Sequence, residues 1–385
     1  MSTLKVDGIR SNSATSDAIT LASDGTCTAN ITNNLSNRNL VINGAMQVAQ
    51  RGTSQTGVNS SGYKNACDRW YFNAEGANVG TYTVSQSTDS PDGFASSFKI
   101  DCTTARTPAN NEIYEIVQRF EGQNLQGLAK GTSASKKLSL SFYVKTNVSG
   151  NYVVWLFDKD NVRNIGAVYT VSNSNWNRYT VSFPADTTGA FDNDNARSLD
   201  LRFVLLAGSN FTSGTLPTTA WESTSDANTR VGQTANVASS TSNEWYLTGV
   251  QLEIDHTGSG VATDFEHRSF AQELALCQRY YNKYADSYNQ SVCVGHCYNS
   301  SVNIGIVHFP CKMRATPSVD APSGTDYYKV ISGNGNFGQP NCTIEDSNST
   351  NCGIRFSGGS STTLGRGCGL RMGSSSAYIA FSAEL

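Results

Sequence analysis

Charge is what this chain has least of. Charged residues make up 15% of its 385 positions, against about 25% in an ordinary soluble domain. The net charge is −3 and the pI is near 5.8. There is no run of Lys and Arg and no basic stripe interleaved with aromatics, so the electrostatic footprint of a nucleic-acid binder is missing. No apolar run reaches about 18 residues, and no membrane insertion is expected. Residues 1–30 contain no basic stretch followed by an apolar one. The expectation is therefore synthesis in a cytosol without a secretory signal. Walker-type phosphate loops and G-x-S-x-G elbows are missing too, as is any repeat that would build a long parallel β-helix. Gly333–Gly338, GNGNFG, imitates a dinucleotide fingerprint only loosely; no strand–helix unit follows it, so it reads as a loop.

Ser, Thr, Asn and Gly fill the space that charge leaves, so solubility rests on neutral hydroxyls and amides. Such a surface suits extracellular and virion β-proteins, which meet varying salt. Of ten cysteines, seven fall between Cys277 and Cys368. Free thiols are the default for a chain made in a reducing cytosol. Disulfides formed later, outside that cytosol, are the alternative.

Period-two alternation dominates from about Asn39 to Asp255. In Lys137–Thr146, KLSLSFYVKT, Leu138, Leu140, Phe142 and Val144 share one face, and Ser139, Ser141, Tyr143 and Lys145 take the other. That is the pattern of a strand buried on one side. Asn177–Phe183 repeats it with Tyr179, Val181 and Phe183 inward, and Ser198–Leu206 with Leu199, Leu201, Phe203 and Leu205 inward. Phe98, Ile100 and Cys102 form a shorter case. Tyr152–Phe157 is apolar on both faces and suits a central strand. Turn-rich stretches such as Asp158–Asn161 separate these segments, as in an antiparallel sandwich. One strand changes phase: Trp245 and Leu247 are followed by Val250, Leu252 and Ile254. A bulge at Gly249, where glycine tolerates positive φ, would keep both sets inward.

One helix is expected, from about Phe270 to Tyr284. Ser269 and Gln272 have capping-box spacing, and Phe270, Leu274, Cys277 and Tyr281 fall on one helical face. Tyr280 and Tyr281 read as packing residues. Strands return after Ala285, with Val302, Ile304 and Ile306 alternating, and AYIAFSAEL at Ala377–Leu385 closes the sequence. Residues 1–37 carry only small apolar bursts (Leu4, Val6, Ile9; Ile19, Leu21; Ile31) and bury no core of their own. They read either as a disordered leader or as short strands that order against copies of themselves or a partner.

Chemistry-bearing clusters are few. Cys293, His296 and Cys297, with His308 and Cys311 nearby, offer zinc-type ligands. On a strand, however, His296 points away from the two thiols unless a turn forms near Gly295. Buried thiols are the plainer reading. Asp158 with Asp160, or Asp192 with Asp194, could bind calcium, but both pairs lie in predicted turns where Asp is common anyway. No metal and no cofactor is therefore assigned. Of the five tryptophans, Trp221 lies in a Thr/Ser-rich loop and is the best surface candidate. Tyr327 and Tyr328, in a loop-like stretch between Asp320 and Gly373, are the other candidates for stacking on sugar rings. The alternative is that both tyrosines pack beneath the loop.

Two segments carry a resemblance. Asn37–Gly52, NRNLVINGAMQVAQRG, completed by CDRW at Cys67–Trp70, pairs with Thr248–Tyr281, TGVQLEIDHTGSGVATDFEHRSFAQELALCQRYY. Together they resemble the opening and closing signatures of a β-sandwich module in tail fibres and other appendages of tailed bacteriophages, notably marine podovirus-like ones. FPCKMRATPSV at Phe309–Val319 and the final AEL resemble small C-terminal fibre domains. The resemblance implies an all-β chain: a jelly-roll-like antiparallel sandwich followed by one helix and a smaller C-terminal β-domain, with an extended N-terminal segment. Residues 1–37 would attach to the virion, 38–284 form the sandwich and its helix, and 285–385 form the C-terminal domain. The implied function is a homotrimeric virion protein, made in the bacterial cytoplasm, that binds host-surface polysaccharide and is not an enzyme. Other virion proteins would be its partners through the N-terminal segment. A purely structural decoration or adaptor, and a polysaccharide depolymerase, are the rival readings.

Overall fold

The structure is a computed structural model describing residues 5–15, 17–29, 36–76, 80–256, 258–333, 335–359 and 362–385. Leu4 and Ile31 of the N-terminal bursts lie outside the described residues. The chain is all-β, and every strand pairing given for it is antiparallel. A six-stranded sheet runs in the order Asn177–Phe183, Lys137–Thr146, Glu244–Asp255, Ser97–Thr104, Thr81–Ser87, Ser54–Val58. A seven-stranded sheet faces it, in the order Glu222–Ser223, Arg163–Val171, Gly150–Asp158, Arg197–Ala207, Ile113–Glu121, Tyr71–Glu75, Gly62–Tyr63.

The core between these sheets is built from the inward sets that alternation predicts. Leu138, Leu140, Phe142 and Val144 meet Leu199, Leu201, Phe203 and Leu205, all buried. Phe142 and Phe203 stand edge to face across the sheets at 5.0 Å. Burying each such side chain contributes roughly 1.5 to 3 kcal/mol. Gly150–Asp158 is buried on both faces because the 208–243 connection crosses its outer side, where Val153 and Trp155 pack with Val204 and Leu216.

The bulge lies where the phase change puts it. Ser141 pairs with Gln251 and Tyr143 with Thr248, so two residues oppose Phe142. Gly249 has φ +60°, and a Cβ there would stand 2.7 Å from Phe94 Cζ and 2.8 Å from Tyr143 Cδ2. Trp245, Leu247, Val250 and Leu252 are consequently all buried on one face.

The helix is shorter than its pattern. It spans Phe270–Gln278 and has the Ser269/Gln272 capping box. Tyr281–Ala285 is instead a strand, paired with Ile379–Ser382. Tertiary pairing overrides the i+11 match that placed Tyr281 on the helical face. The buried helical residues are Glu273 and Cys277, whereas Phe270 is exposed. Tyr280 and Tyr281 are both buried.

A second core is formed downstream by a seven-stranded sheet. Its order is Gly335–Gln339, Tyr328–Ser332, Gly367–Met372, Ser291–Cys297, Val302–His308, Asn351–Ser357, Asn341–Ser347. A three-stranded sheet of Tyr281–Ala285, Ile379–Ser382 and Ser318–Asp320 joins that core. The phase of Val302–His308 differs from its apolar pattern: Asn303, Gly305 and Val307 face inward, while Ile306 is exposed. Gly305 is inward because Cys293 Sγ occupies the space a side chain would need, 2.5 Å from its Cβ position.

The two signature segments hydrogen-bond to each other. Leu40 N donates to Leu252 O at 2.8 Å, Val250 N to Gly44 O at 3.0 Å, and Gln50 Nε2 to Tyr281 O at 2.6 Å. Gly44 lies so close to the bulged strand that a Cβ would stand 2.2 Å from Val250 O. Arginines of the conspicuous segments converge on Glu384. Arg51 and Arg69 both bond its carboxylate, and Arg314 donates to Ala383 O at 2.7 Å and to Glu384 O at 3.0 Å. Beside them Arg279 and Tyr280 bond Glu121. QRG, CDRW, QRYY, MRA and AEL therefore form one buried ionic junction between the sandwich and the downstream core.

Candidate functional site: the outer face of the six-stranded sheet

The outward set of Lys137–Thr146 includes Tyr143 and Lys145, and their neighbours make a face of aromatic rings and paired charges. Lys145 lies directly across from Tyr246, which in turn pairs with Lys99. Both ammonium groups stand over the Tyr246 ring, at 5.5 and 5.4 Å from its centroid. Trp176, half-buried, meets Tyr246 edge-on at 6.1 Å and donates its indole N–H to Asp89 Oδ1 at 2.9 Å. Lys145 bonds the other Asp89 oxygen at 2.6 Å, and Lys99 bonds Glu244 at 2.5 Å. The hydrogen bond from Lys145 is the main reason the Asp89 carboxyl is held below its ordinary range.

A second group of rings lies two residues farther along the strand, about 7 Å away. Phe94, Phe265 and His267 pack mutually at 4.8 to 5.1 Å, and Phe94 also meets Tyr143 at 5.4 Å. Phe94, Phe265 and Tyr143 are half-buried, and His267 is exposed. The bulge supports them, since Phe94 and Tyr143 fill the space above Gly249. The face thus offers flat apolar surface beside fixed donors and acceptors. Each of its two lysines is matched by a carboxylate.

The residues singled out in the sequence lie elsewhere. Tyr328 is 0% exposed, packs on Phe356 at 4.9 Å and donates its hydroxyl to Pro322 O. It is part of the downstream core and presents no face to a ligand. Tyr327 is half-buried against the same core. Trp221 is buried, donates to Pro184 O at 2.9 Å and closes a recess of about 10 Å³ with Phe191 and Lys130. That volume holds about one water, not a sugar ring. Tyr328 and Trp221 are thus packing residues here: each satisfies its polar atom on a nearby carbonyl and buries the rest of its ring.

The metal alternatives meet a similar end. Ser291–Cys297 runs as unbroken strand through Gly295, so no turn brings His296 to the thiols: Cys297 is buried and His296 exposed. Among the described residues, no three His, Cys, Asp or Glu side chains converge to hold a metal. Asp158 is taken by Lys130 Nζ at 2.5 Å, which also bonds Thr188 O and Gly189 O. An ammonium fills the place a cation would take. Asp160 accepts from Asp192 N, and Asp194 from Ala196 N. All ten cysteines are free thiols, most of them buried.

Surface grooves of about 330 and 290 Å³ lie beside the helix, lined by Asn37, Arg268 and Leu276. Their main cation is already engaged, since Arg268 bonds Val41 O, Asn39 O and Glu273.

No known sequence family matches the chain, and no curated protein does. Among solved structures, the chain is similar to the enzymatically active domain of tailspike protein 4 of bacteriophage CBA120. That likeness has 12% identity and TM-score 0.31, and covers 56% of this chain but only 21% of that one. It is also similar to a family 11 carbohydrate-binding module of a Clostridium thermocellum cellulosomal cellulase (12% identity, 55% of this chain, 97% of that one, TM-score 0.25). A family 16 carbohydrate-binding module is a third case (13% identity, 44% and 84%, TM-score 0.24). These are distant likenesses of β architecture.

Proposed function

We propose that this chain is a subunit of a tailed-bacteriophage appendage, a tail fibre or similar, that binds host-surface polysaccharide as a homotrimer without cleaving it. The half-open aromatic face of the six-stranded sheet carries the binding reading. Sugar rings pair apolar C–H faces with a rim of hydroxyls, and this face pairs rings with fixed polar groups. Because Asp89 and Glu244 offset Lys145 and Lys99, it suits a neutral polysaccharide.

Trimerisation is supported by the N-terminal strands Gly8–Ile9, Ile19–Leu21 and Cys27–Ala29. Strands this short bury too little to stand alone, and Ile9 and Leu21 on them, with Val6 just before them, are exposed. Copies of the segment, or a virion partner, would cover those side chains, and three copies would multiply weak sugar contacts. Binding without turnover is supported by the carboxylates of this face: glycoside hydrolysis needs one carboxyl free to donate a proton to the sugar, and Asp89 and Glu244 are each engaged by a lysine.

Electrophoresis of the purified protein through gels containing neutral host polysaccharide tests the reading, with reducing ends assayed in parallel. Retardation without new reducing ends is expected. An unretarded protein would favour a purely structural adaptor, and new reducing ends would make it a depolymerase.

A further inference from the structure

The outer face of the downstream seven-stranded sheet holds a like-charge pair that no fold requirement explains. Tyr328 and Val330 point into the core, as do Leu370 and Met372. Lys329 and Arg371 between them therefore point outward, and they sit directly opposite each other across the Tyr328–Ser332 and Gly367–Met372 ladder. Like charges in that position destabilise a sheet. Among the described residues, no carboxylate forms an ion pair with either. Asp286 is taken by Lys283 at 3.3 Å, and Glu345 by Arg355 at 2.9 Å. Asp326 lies over Gly338, across the neighbouring ladder from Lys329.

An independent feature stands beside this pair. Tyr288, in the turn before Ser291–Cys297, is 57% exposed, and Lys329 Nζ stands 5.1 Å from its ring centroid. The same turn gives Asn289 Oδ1, 3.4 Å from Lys329 Nζ. The turn is fixed to the sheet by Asn289 N to Met372 O at 3.1 Å and Met372 N to Gln290 O at 2.9 Å. An exposed ring, an amide and two outward cations thus share one rigid strand end.

We propose that Tyr288, Lys329 and Arg371 form a binding site for an acidic saccharide residue, such as a uronic acid within a polysaccharide. The sugar ring would stack on Tyr288. Its carboxylate would lie between the ammonium and the guanidinium, relieving the repulsion the free protein carries. This site differs in chemistry and place from the neutral aromatic face of the sandwich, and it does not depend on that face binding anything.

The full-length protein run by electrophoresis through polygalacturonate gels, with dextran gels as the neutral control, tests it. Wild type should be retarded by polygalacturonate, with retention falling steeply as salt rises. Lys329→Gln and Arg371→Gln should each weaken retention roughly tenfold, the scale of one lost charge-assisted contact. Lys329→Arg should keep most of it, and Tyr288→Ala should lose several-fold. Both Gln variants should melt at or slightly above the wild-type temperature, because they remove a repulsion. Unretarded wild type overturns the proposal, and so does a Lys329→Gln/Arg371→Gln double variant retained as strongly as wild type. A marked loss of thermal stability in the Gln variants would make the pair structural instead. Retention on dextran, which reads the sandwich face, moves independently of all three results.

Discussion

At the scale of single residues, stability turns on how each buried charge is matched. Glu115 is fully buried and accepts from Trp155 Nε1, Arg202 and Arg230. Burial raises its pKa, but Arg230 and Arg202 outweigh that and hold the carboxyl at about 2. Glu115→Gln leaves Arg230, under the 208–243 connection, without its carboxylate, and leaves Arg202 with Asp200 alone. Breaking such a pair costs about 3 to 5 kcal/mol, which denaturant unfolding would register as a lower midpoint. Asp68, in the ionic junction, behaves in the opposite sense. Burial pushes its carboxyl up to about 6, against the pull of Arg51 and Gln50. In the unfolded chain it titrates near 3.8. Its contribution to stability is therefore fully present below about pH 4 and is lost as pH rises through about 6. Glu115 contributes above its unfolded value of 4.5 and loses that contribution as pH falls toward about 2. Melting curves from about pH 4 to pH 7 should show Asp68→Asn with a shallower decline than wild type. Parallel curves for the two proteins would contradict this account of Asp68.

At the scale of elements, the bulge at Gly249 is the most exposed to test. Gly249→Val forces a β-branched side chain to positive φ, costing roughly 1 to 3 kcal/mol, and drives it against Phe94 and Tyr143. The melting temperature should fall, and Gly249→Val/Phe94→Ala should recover only the steric part. Equal stability of Gly249→Val and wild type would contradict a left-handed glycine here. This bulge, Lys137–Thr146 and the capping box were legible in the sequence because each is set by local spacing. The end of the helix was not, because Tyr281–Ala285 is a strand only through its pairing with Ile379–Ser382, nearly a hundred residues away in sequence. The phase of Val302–His308 was hidden for a related reason: its inward glycine is defined by Cys293 on a neighbouring strand. Tyr328 looked like loop surface, yet strand pairing with Gly367–Met372 turns its ring inward. The aromatic face had one legible signal, Tyr143 at an outward position of a strand. Phe94, Phe265 and Trp176 reach it from separate loops, and only the fold brings them together.

At the scale of the whole molecule, most of the recognisable motif residues serve the junction, and Phe265 and His267 of the second signature reach the proposed binding face. The signature segments meet in the Glu384 junction and explain how the sandwich and the downstream core are joined. Glu384→Gln should weaken that join, giving earlier proteolysis near Ala285 while the sandwich core stays protected. A protease-resistance profile unchanged from wild type would contradict the junction's role. On the proposed trimeric, virion-bound reading, deleting residues 1–37 should leave the sandwich folded, reduce the mass in light scattering from about three chains to one, and abolish incorporation into particles. The central claim is that the six-stranded sheet presents a sugar-binding face, and single-site variants of that face test it most directly. Trp176→Ala and Phe265→Ala, each confirmed as folded by its melting curve, should bind neutral host polysaccharide at least about fivefold more weakly than wild type, close to 1 kcal/mol. Wild-type affinity in both variants would contradict the claim.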